Sequence, residues 1–458
     1  MAGSGSEDRL VAGIDLATAA ARVAVADGRG RVIARAEAPL APPQRPDPRT
    51  SEQDARSWWP AVAGALREAL AAVAADDVAA VAVSATSGTV VLVDARGEPV
   101  GPALLYDDGR APAPQRWDRL LAGPGASSAA HAWHASDLIV ARLTGTAPPT
   151  DWSHALKTGY DPGAGRWSTG GRAADLRPEV HAPASPAGRV CASAAADTSL
   201  PEGCDVRLGM TDACAAQIAA GADRPGRFVT VLGTTLAVKG ASHERLDEPA
   251  SGIYSHRHPD GWWLPGGASN VGGGSLVAHG DGGDLAELDR QAAARGPAEA
   301  VCYPLPRPGE RFPFRCAGAE ELWMGRPADP VEAHRAVLEG VAFVERLGYE
   351  RLAALGAPAS PPIRTAGRGG RSEVWSSIRA TVLNVPVARA TTADTAFGAC
   401  VLAAAGTLHP SLADAGDAMV APPGAPLEPV PEERDAMEAS YRRFVAALEE
   451  RGWLPWAA

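Results

Sequence analysis

Apolar and polar positions change period along the chain, and the changes separate strands from helices. Near-continuous apolar runs at LVAGID, ARVAVAD and RVIARAEAPL, beginning at Leu10, predict three strands, and GRG between the second and third predicts a hairpin. From Ser51 the period lengthens: SEQDARSWWPAVAGALREALAAVAA carries apolar residues three and four apart, the spacing of an amphipathic helix. Ser51 or Asp54 is placed to cap it, with Trp58 and Trp59 on its packing face. VAAVAVSATSG and TVVLVDARG read as strands, HASDLIVARLTG as a helix, and the Gly-, Ala- and Pro-rich stretch 168–203 as irregular connection. MTDACAAQIAAGA predicts a short helix of small residues, which lets another backbone or a ligand come close.

After DRPG the pattern begins again. RFVTVLGTTLAVKG is strand, tight turn and strand, an echo of residues 10–26 that points to an internal structural duplication with a boundary near Arg224. The second half continues through GWWLPGGASNVGGGS, a long helix DPVEAHRAVLEGVAFVERLGYERLAAL, a strand PIRTAG, the loop RGGRSEVW, a helix TAFGACVLAAAG and a charged C-terminal helix from Pro431. Sheets alternating with helices in both halves give an α/β protein of two domains, 10–224 and 225–458, behind a disordered tail at 1–9. Two domains also suit 458 residues, more than one hydrophobic core usually supports.

Charge and composition narrow the chemistry. A formal net charge of −11 leaves no excess of Lys and Arg for binding nucleic acid or an anionic membrane. No apolar run approaches the ~20 residues of a membrane span, and MAGSGSEDR lacks the apolar core of a secretory signal, so a cytoplasmic location is expected. The six cysteines form no CxxC pair and read as reduced thiols, which argues against zinc held through sulfur. The pairs His131/His134 and His256/His258 have no third ligand nearby in sequence and read as surface or core histidines.

Three glycine-containing turns stand at strand ends: Gly13 to Thr18, Gly233 to Thr235, and Gly367 to Gly370. Glycine admits close approach of the main chain, and exposed N–H groups with threonine hydroxyls suit phosphate oxygens. The chain has no GxxxxGK[ST], and no GxGxxG that follows a strand and opens a helix, so neither a Walker loop nor a dinucleotide site is indicated.

These motifs, in order, resemble the FGGY family of carbohydrate kinases. GIDLATAAAR resembles the family's first phosphate motif, EQDARSWW its early helix, SGTVVLVD and LYDDGRA its sugar-site loops, and TDWSHALKTGYD the segment after the LTG turn. GMTDACAAQIAAGA resembles its catalytic-aspartate helix, VTVLGTTLAV its second phosphate motif, and AGRGGRSEVW its adenosine motif. The resemblance implies two actin-like (ribonuclease H-like) ATPase domains with a cleft between them, ATP and Mg²⁺, and a sugar substrate. Self-association into a homodimer is left open.

By the same resemblance Asp212 is the base that takes the sugar hydroxyl's proton; the plain alternative is a helix cap. Asp15 holds Mg²⁺ through water or touches the sugar, and Ser87, Gly88, Asp108 and Asp212 face the sugar. Thr18, Gly233, Thr234 and Thr235 serve the phosphates, while Gly367, Gly369, Ser372 and Trp375 line the adenosine pocket. Three departures stand out. Ala17 replaces a family glycine, Arg368 interrupts the glycine run of the adenosine motif, and the stretch from Arg110 to His131 is short enough to lack a helix. Ser87-Gly88, ALKTGYD, ERFPF and GGASNVGGG resemble the D-ribulokinase and xylulose kinase-like branch, so D-ribulose is the expected acceptor. The alternatives are D-xylulose or another polyol, or a catalytically weak binding protein.

Overall fold

The computed structural model describes residues 9–168, 170–279 and 284–456; apart from Arg9, the tail expected at 1–9 lies outside the described residues. In chain order the elements that position the site are β1 (Leu10–Leu16), β2 (Ala20–Asp27), β3 (Val32–Pro39), α1 (Trp58–Leu70), β4 (Val78–Ala85), α2 (Ala135–Thr144), β5 (Asp205–Thr211) and α3 (Asp212–Ala219). There follow β6 (Phe228–Leu232), β7 (Leu236–Gly240), β8 (Trp263–Ala268), α4 (Gly273–His279), α5 (Pro330–Ala354), β9 (Ile363–Ala366), α6 (Glu373–Leu383), β10 (Val387–Arg389), α7 (Thr395–Ala404) and α8 (Arg434–Glu450).

The chain packs as two compact units. The first takes the chain to Ala219 with 256–260 and 393–421; the second takes 220–255, 261–392 and the chain from Pro422. In the first, β3, β2, β1, β4 and β5 lie side by side in that order. The β3–β2 and β2–β1 pairs are antiparallel, and β1–β4 and β4–β5 are parallel. In the second, β8, β7, β6, β9 and β10 repeat the arrangement: two antiparallel pairs, then two parallel ones. The echo between residues 10–26 and 227–240 is thus one of topology.

Helix α7 belongs to the first unit although it follows the second unit's strands in sequence. Its small residues explain this. A Cβ at Gly13 of β1 would lie 2.0 Å from Ala396 O and 2.4 Å from Cys400 N, and one at Gly398 would lie 2.0 Å from Ala215 O of α3. The helix backbone therefore sits directly on β1 and α3, and the Cys400 thiol donates to Ala24 O at 3.2 Å. The second core is larger-grained, with Phe228, Phe312, Phe343, Phe444 and Tyr441 packed around α5, α6 and α8.

Several local expectations change. The helix read from Ser51 starts at Trp58, after a short strand Glu52–Gln53 and a turn of 3₁₀ helix. Ser51 caps nothing; its N–H donates to Asp108 at 2.9 Å, while Asp54 caps the 3₁₀ turn through Arg56 N–H at 3.1 Å. Trp58 is buried as expected, but Trp59 is only half-buried and donates its indole N–H to Asp197 at 3.0 Å. The stretch 168–203 is less irregular than its composition suggests, since Pro186–Arg189 pairs with β5 and Ala192–Thr198 is helical. Between Arg110 and His131 the chain keeps one short helix, Arg116–Leu121, which buries its own Trp117. All six cysteines are free, and no helix among the described residues is long and apolar enough to cross a membrane.

Candidate active site

The parallel strands β1, β4 and β5 finish side by side at Leu16, Ala85 and Thr211. Carboxyl ends of parallel strands are where open α/β sheets receive ligands. Asp15 lies one residue before the end of β1, in register with Ser84 on one side and Arg22 on the other. Its Oδ2 accepts from Arg22 Nη1 at 3.3 Å, and its Oδ1 is buried with no hydrogen-bond partner. The hydroxyls of Ser84, Ser87, Thr89 and Thr211 are also buried and unpartnered. An unpaired buried polar group costs about 1–3 kcal/mol, so a cluster of them at one sheet end marks a place that awaits a polar ligand. Burial pushes the Asp15 carboxyl up to about 6; Arg22 pulls the other way, and the negative charge of Asp212 adds to the rise.

Strand β5 passes into α3 without a loop, so Asp212 is the first helical residue, half-buried, with Oδ1 accepting from Ala213 N–H at 2.8 Å. The junction is held by TDWSH. Asp151 caps the helix Trp152–Lys157 through the N–H groups of Ser153 and His154 at 2.8 and 3.1 Å. Ser153 Oγ donates to Asp151 at 2.5 Å and accepts from Thr211 N–H at 3.0 Å. Asp151 also grips His154 Nδ1, whose ring reaches Ala85 O through Nε2 at 3.2 Å. One buried group therefore ties the ends of β4 and β5 together. Burial opposes a charge on His154, but the Asp151 carboxylate wins and the imidazole rises to about 9. Burial likewise opposes ionisation of Asp151, yet His154 holds it below the ordinary carboxylate range.

The first turn, 16–20, closes with Ala17 N–H donating to Ala20 O at 3.0 Å, and Gln53 Nε2 supports it by donating to Thr18 O at 3.0 Å. Gln53 is oriented by the indole N–H of Trp58, 2.9 Å from its Oε1. Ala17 is not among the residues with positive φ, so the turn does not use the conformation that favours glycine.

In the second unit, the Gly233–Thr235 turn lies against the glycines of GGASNVGGGS. Gly273 and Gly274 N–H groups donate to Gly233 O and Thr234 O, both at 2.8 Å. A Cβ on Gly272, Gly273 or Gly274 would come within 2.6, 2.6 and 3.0 Å of that turn's backbone. Glu310, buried under the loop, accepts from Ser269 Oγ, Asn270 N–H, Tyr303 Oη and Arg311 N–H at 2.7–2.9 Å. Thr234 points outward, exposed. Gly367, with φ +84°, passes so close to Leu232 that a Cβ would sit 2.5 Å from its carbonyl oxygen, and Gly369 is pressed against the Leu232 side chain. Each unit thus presents a strand-end turn that carries threonine hydroxyls, the second one braced by glycines.

Residues 10–123 match the N-terminal domain of the FGGY carbohydrate kinases and residues 228–407 match the C-terminal domain. The chain belongs to the FGGY family of carbohydrate kinases. Among the proteins it resembles, the xylulose kinase of Streptomyces rubiginosus is 30% identical over 57% of this chain and 60% of its own length. The ribulokinase of Shouchella clausii is 28% identical over 59% of this chain and 54% of its own length. In these two matches the chain spans less than two thirds of the curated relative. The crystal structure of the xylulose kinase from Rhodospirillum rubrum superposes with a TM-score of 0.85 at 26% identity, covering 96% of this chain and 99% of that one.

Within this FGGY chain the residues named from sequence fall into two groups. Asp15, Thr18, Ser87 and Asp212 lie at the sheet end or its flanking turns, and Gly233, Thr234, Thr235, Gly367 and Gly369 line the second unit's turns. Others are occupied elsewhere. Trp375, expected beside adenosine, is 2% exposed and donates its indole N–H to Leu338 O at 3.0 Å, a core aromatic. Ser372 caps α6 and donates to Asp289 at 2.7 Å. Asp108 is saturated: it accepts from Ser51 N–H and several times from Arg110, contacts that outweigh its burial and hold its carboxyl low. Gly88, with φ +79°, receives Arg116 Nη1 on its carbonyl at 2.6 Å.

Arg368 is exposed and helical in backbone. Sequence reasoning passed over Arg22, Gln53, Arg116, His154 and Glu310. Asp151-x-x-His154 did carry a signal, an N-cap carboxylate with its histidine one turn on. His134 is a core histidine, bonded to Asp137, Thr150 and Thr158 at 2.9–3.0 Å.

Proposed function

We propose that the protein is an ATP-dependent kinase that transfers the γ-phosphoryl group of ATP to a hydroxyl of a ketopentose. The observation that carries this reading is the pair Asp15 and Asp212 at the carboxyl end of one sheet, among the unpartnered hydroxyls of Ser84, Ser87 and Thr211. A polyol supplies the donors and acceptors those groups lack. Phosphoryl transfer needs little covalent help from the protein beyond position and charge neutralisation.

Asp212 takes the proton of the acceptor hydroxyl as its oxygen attacks the γ-phosphorus and ADP leaves. Arg22 fixes Oδ2 of Asp15, and the buried Asp151–Ser153–His154 group keeps the Thr211–Asp212 junction in place. In the second unit the braced Gly233–Thr235 turn offers Thr234 and its amides to the phosphates, and the turn at Gly367–Gly369 lies against the nucleoside. The orphaned Oδ1 of Asp15 fits a divalent cation, since Mg²⁺ takes few carboxylates and keeps several waters. When bound there, Mg²⁺ would offset charge on the phosphates.

The names of relatives favour D-xylulose as the acceptor; Ser87-Gly88 and the ribulokinase relative favour D-ribulose. Coupled ADP release over D-xylulose, D-ribulose, alditols, aldonates and aldoses tests both. The larger kcat/KM should fall on one of the two ketopentoses. Intact ligand binding with no sugar-dependent turnover would leave a binding protein of kinase descent, and a preference for glycerol or an aldonate would move the acceptor class.

A further inference from the structure

In the second unit, three side chains far apart in sequence converge. His279 ends α4, Cys302 lies in the strand Val301–Tyr303, and Glu321 immediately precedes Leu322–Met324, which pairs with that strand. One nitrogen of His279, the Cys302 sulfur and one Glu321 oxygen all lie within 4.8 Å of one another. We propose that these three residues form a binding site for a zinc-like transition metal ion, distinct from the Mg²⁺ that serves ATP.

The arrangement around His279 favours this. Its Nδ1 lies 2.7 Å from Ser275 O, so that nitrogen carries the ring proton and donates to the carbonyl. Nε2 faces the Glu321 carboxylate in close contact. A cation bound between the Nε2 lone pair of the neutral ring and that carboxylate would replace the proton the two otherwise share, and the sulfur within reach selects a metal that accepts thiolate. The Ser275 contact is the outer-sphere hydrogen bond that fixes a ligating imidazole, and the Trp323 indole N–H, 2.6 Å from Glu321 Oε1, does the same for the carboxylate. Bonds of about 2.0–2.3 Å in a tetrahedron put neighbouring ligand atoms roughly 3.3–3.7 Å apart, inside the 4.8 Å limit of the cluster, and an ion would part His279 Nε2 from Glu321 Oε1 to enter. Cys302 is buried and Glu321 exposed, so a fourth position faces solvent. Cys302 binds as thiolate and its proton passes to water.

A bound ion would pin the end of α4, the helix whose first residues brace the Gly233–Thr235 turn, to the 301–303 and 322–324 strands. The full-length protein, stripped with chelator and titrated with Zn²⁺ against a chromophoric competitor, should bind one equivalent, with a rise in Tm. Loading with Co²⁺ should give the near-ultraviolet charge-transfer absorption of a thiolate ligand. Cys302→Ala should lose that absorption, and Cys302→Ala and His279→Gln should each lose the tight equivalent and the metal-dependent rise in Tm. Glu321→Gln, on the exposed side, serves as a third variant where the others fold poorly. No tight binding by the wild type, or an equivalent that survives the Cys302→Ala/His279→Gln double substitution, would overturn the site. The first result would leave a plain imidazolium–carboxylate pair.

Discussion

Asp15 illustrates how one residue couples stability to ligand. Its folded value of about 6 lies above the ordinary 3.8, so the fold favours the neutral carboxyl. The stability it contributes is therefore complete below about pH 4 and is lost as the pH rises through 6. Above 6 the ionised carboxylate, with one oxygen unpartnered, is free to hold a cation; below 6 the proton competes. The apparent Mg²⁺ affinity, titrated calorimetrically in the presence of ATP, should fall about tenfold per pH unit below 6, and a flat affinity between pH 5 and 7 would remove Asp15 from the metal site. Two positions along, Ala17 looks like a defect in sequence because the phosphate motif it resembles has glycine there. The turn closes without positive φ, so Ala17→Gly should leave KM for ATP unchanged and lower stability by about 0.5–1 kcal/mol through chain entropy. A large gain in ATP affinity would show a strained turn.

At the scale of elements, packing decides what a glycine does. Gly398 in α7 meets Ala215 O at the distance of a clash, whereas a Cβ at Gly64 in α1 would meet nothing within 4 Å. Gly398→Ala should destabilise by about 1–3 kcal/mol or prevent folding, and Gly64→Ala should stabilise by about 0.5–1 kcal/mol; denaturant melts of the two variants read both signs. The buried Asp151–His154 pair gives an element-level pH dependence. His154 is raised from 6.5 to about 9, so its stabilisation is complete below about pH 6.5 and is lost as the pH climbs through 9. Unfolding free energy should drop by up to about 3 kcal/mol between pH 6.5 and 9.5, and His154→Gln should flatten that limb. A wild-type profile level across the range would mean that the pair carries no charge.

These elements also mark how far the sequence could be read. Strand-turn-strand repeats, the long helices and the small-residue helices were legible because hydrophobic period and glycine placement are local properties. The start of α1 was not, because Ser51 is recruited by Asp108, 57 residues away. Trp375 and Ser372 looked like ligand contacts because a motif fixes identity and order, not the direction a side chain takes. Core packing claimed the first and helix capping the second.

For the whole molecule, the same strand order twice over explains why each half joins its first antiparallel pair through a turn that carries threonine at a sheet end. Family, fold and the aspartate at the β5–α3 junction were all visible in the sequence. The acceptor sugar was not, since on the proposed reading it depends on which hydroxyls meet Ser84, Ser87 and Thr211 in three dimensions. A net charge of −11 on a protein proposed to bind ATP makes local cancellation essential, and Arg22 beside Asp15 is one such instance. The central claim is that Asp212 takes the proton from a ketopentose hydroxyl during transfer from ATP. Its most direct test is the rate at which wild-type protein and Asp212→Ala form pentulose phosphate and ADP from D-xylulose or D-ribulose, with sugar binding measured in parallel. Stoichiometric product from the wild type, and a loss of at least about 10²–10⁴-fold in the variant with sugar affinity kept, is the result predicted. Turnover that survives in Asp212→Ala would contradict it.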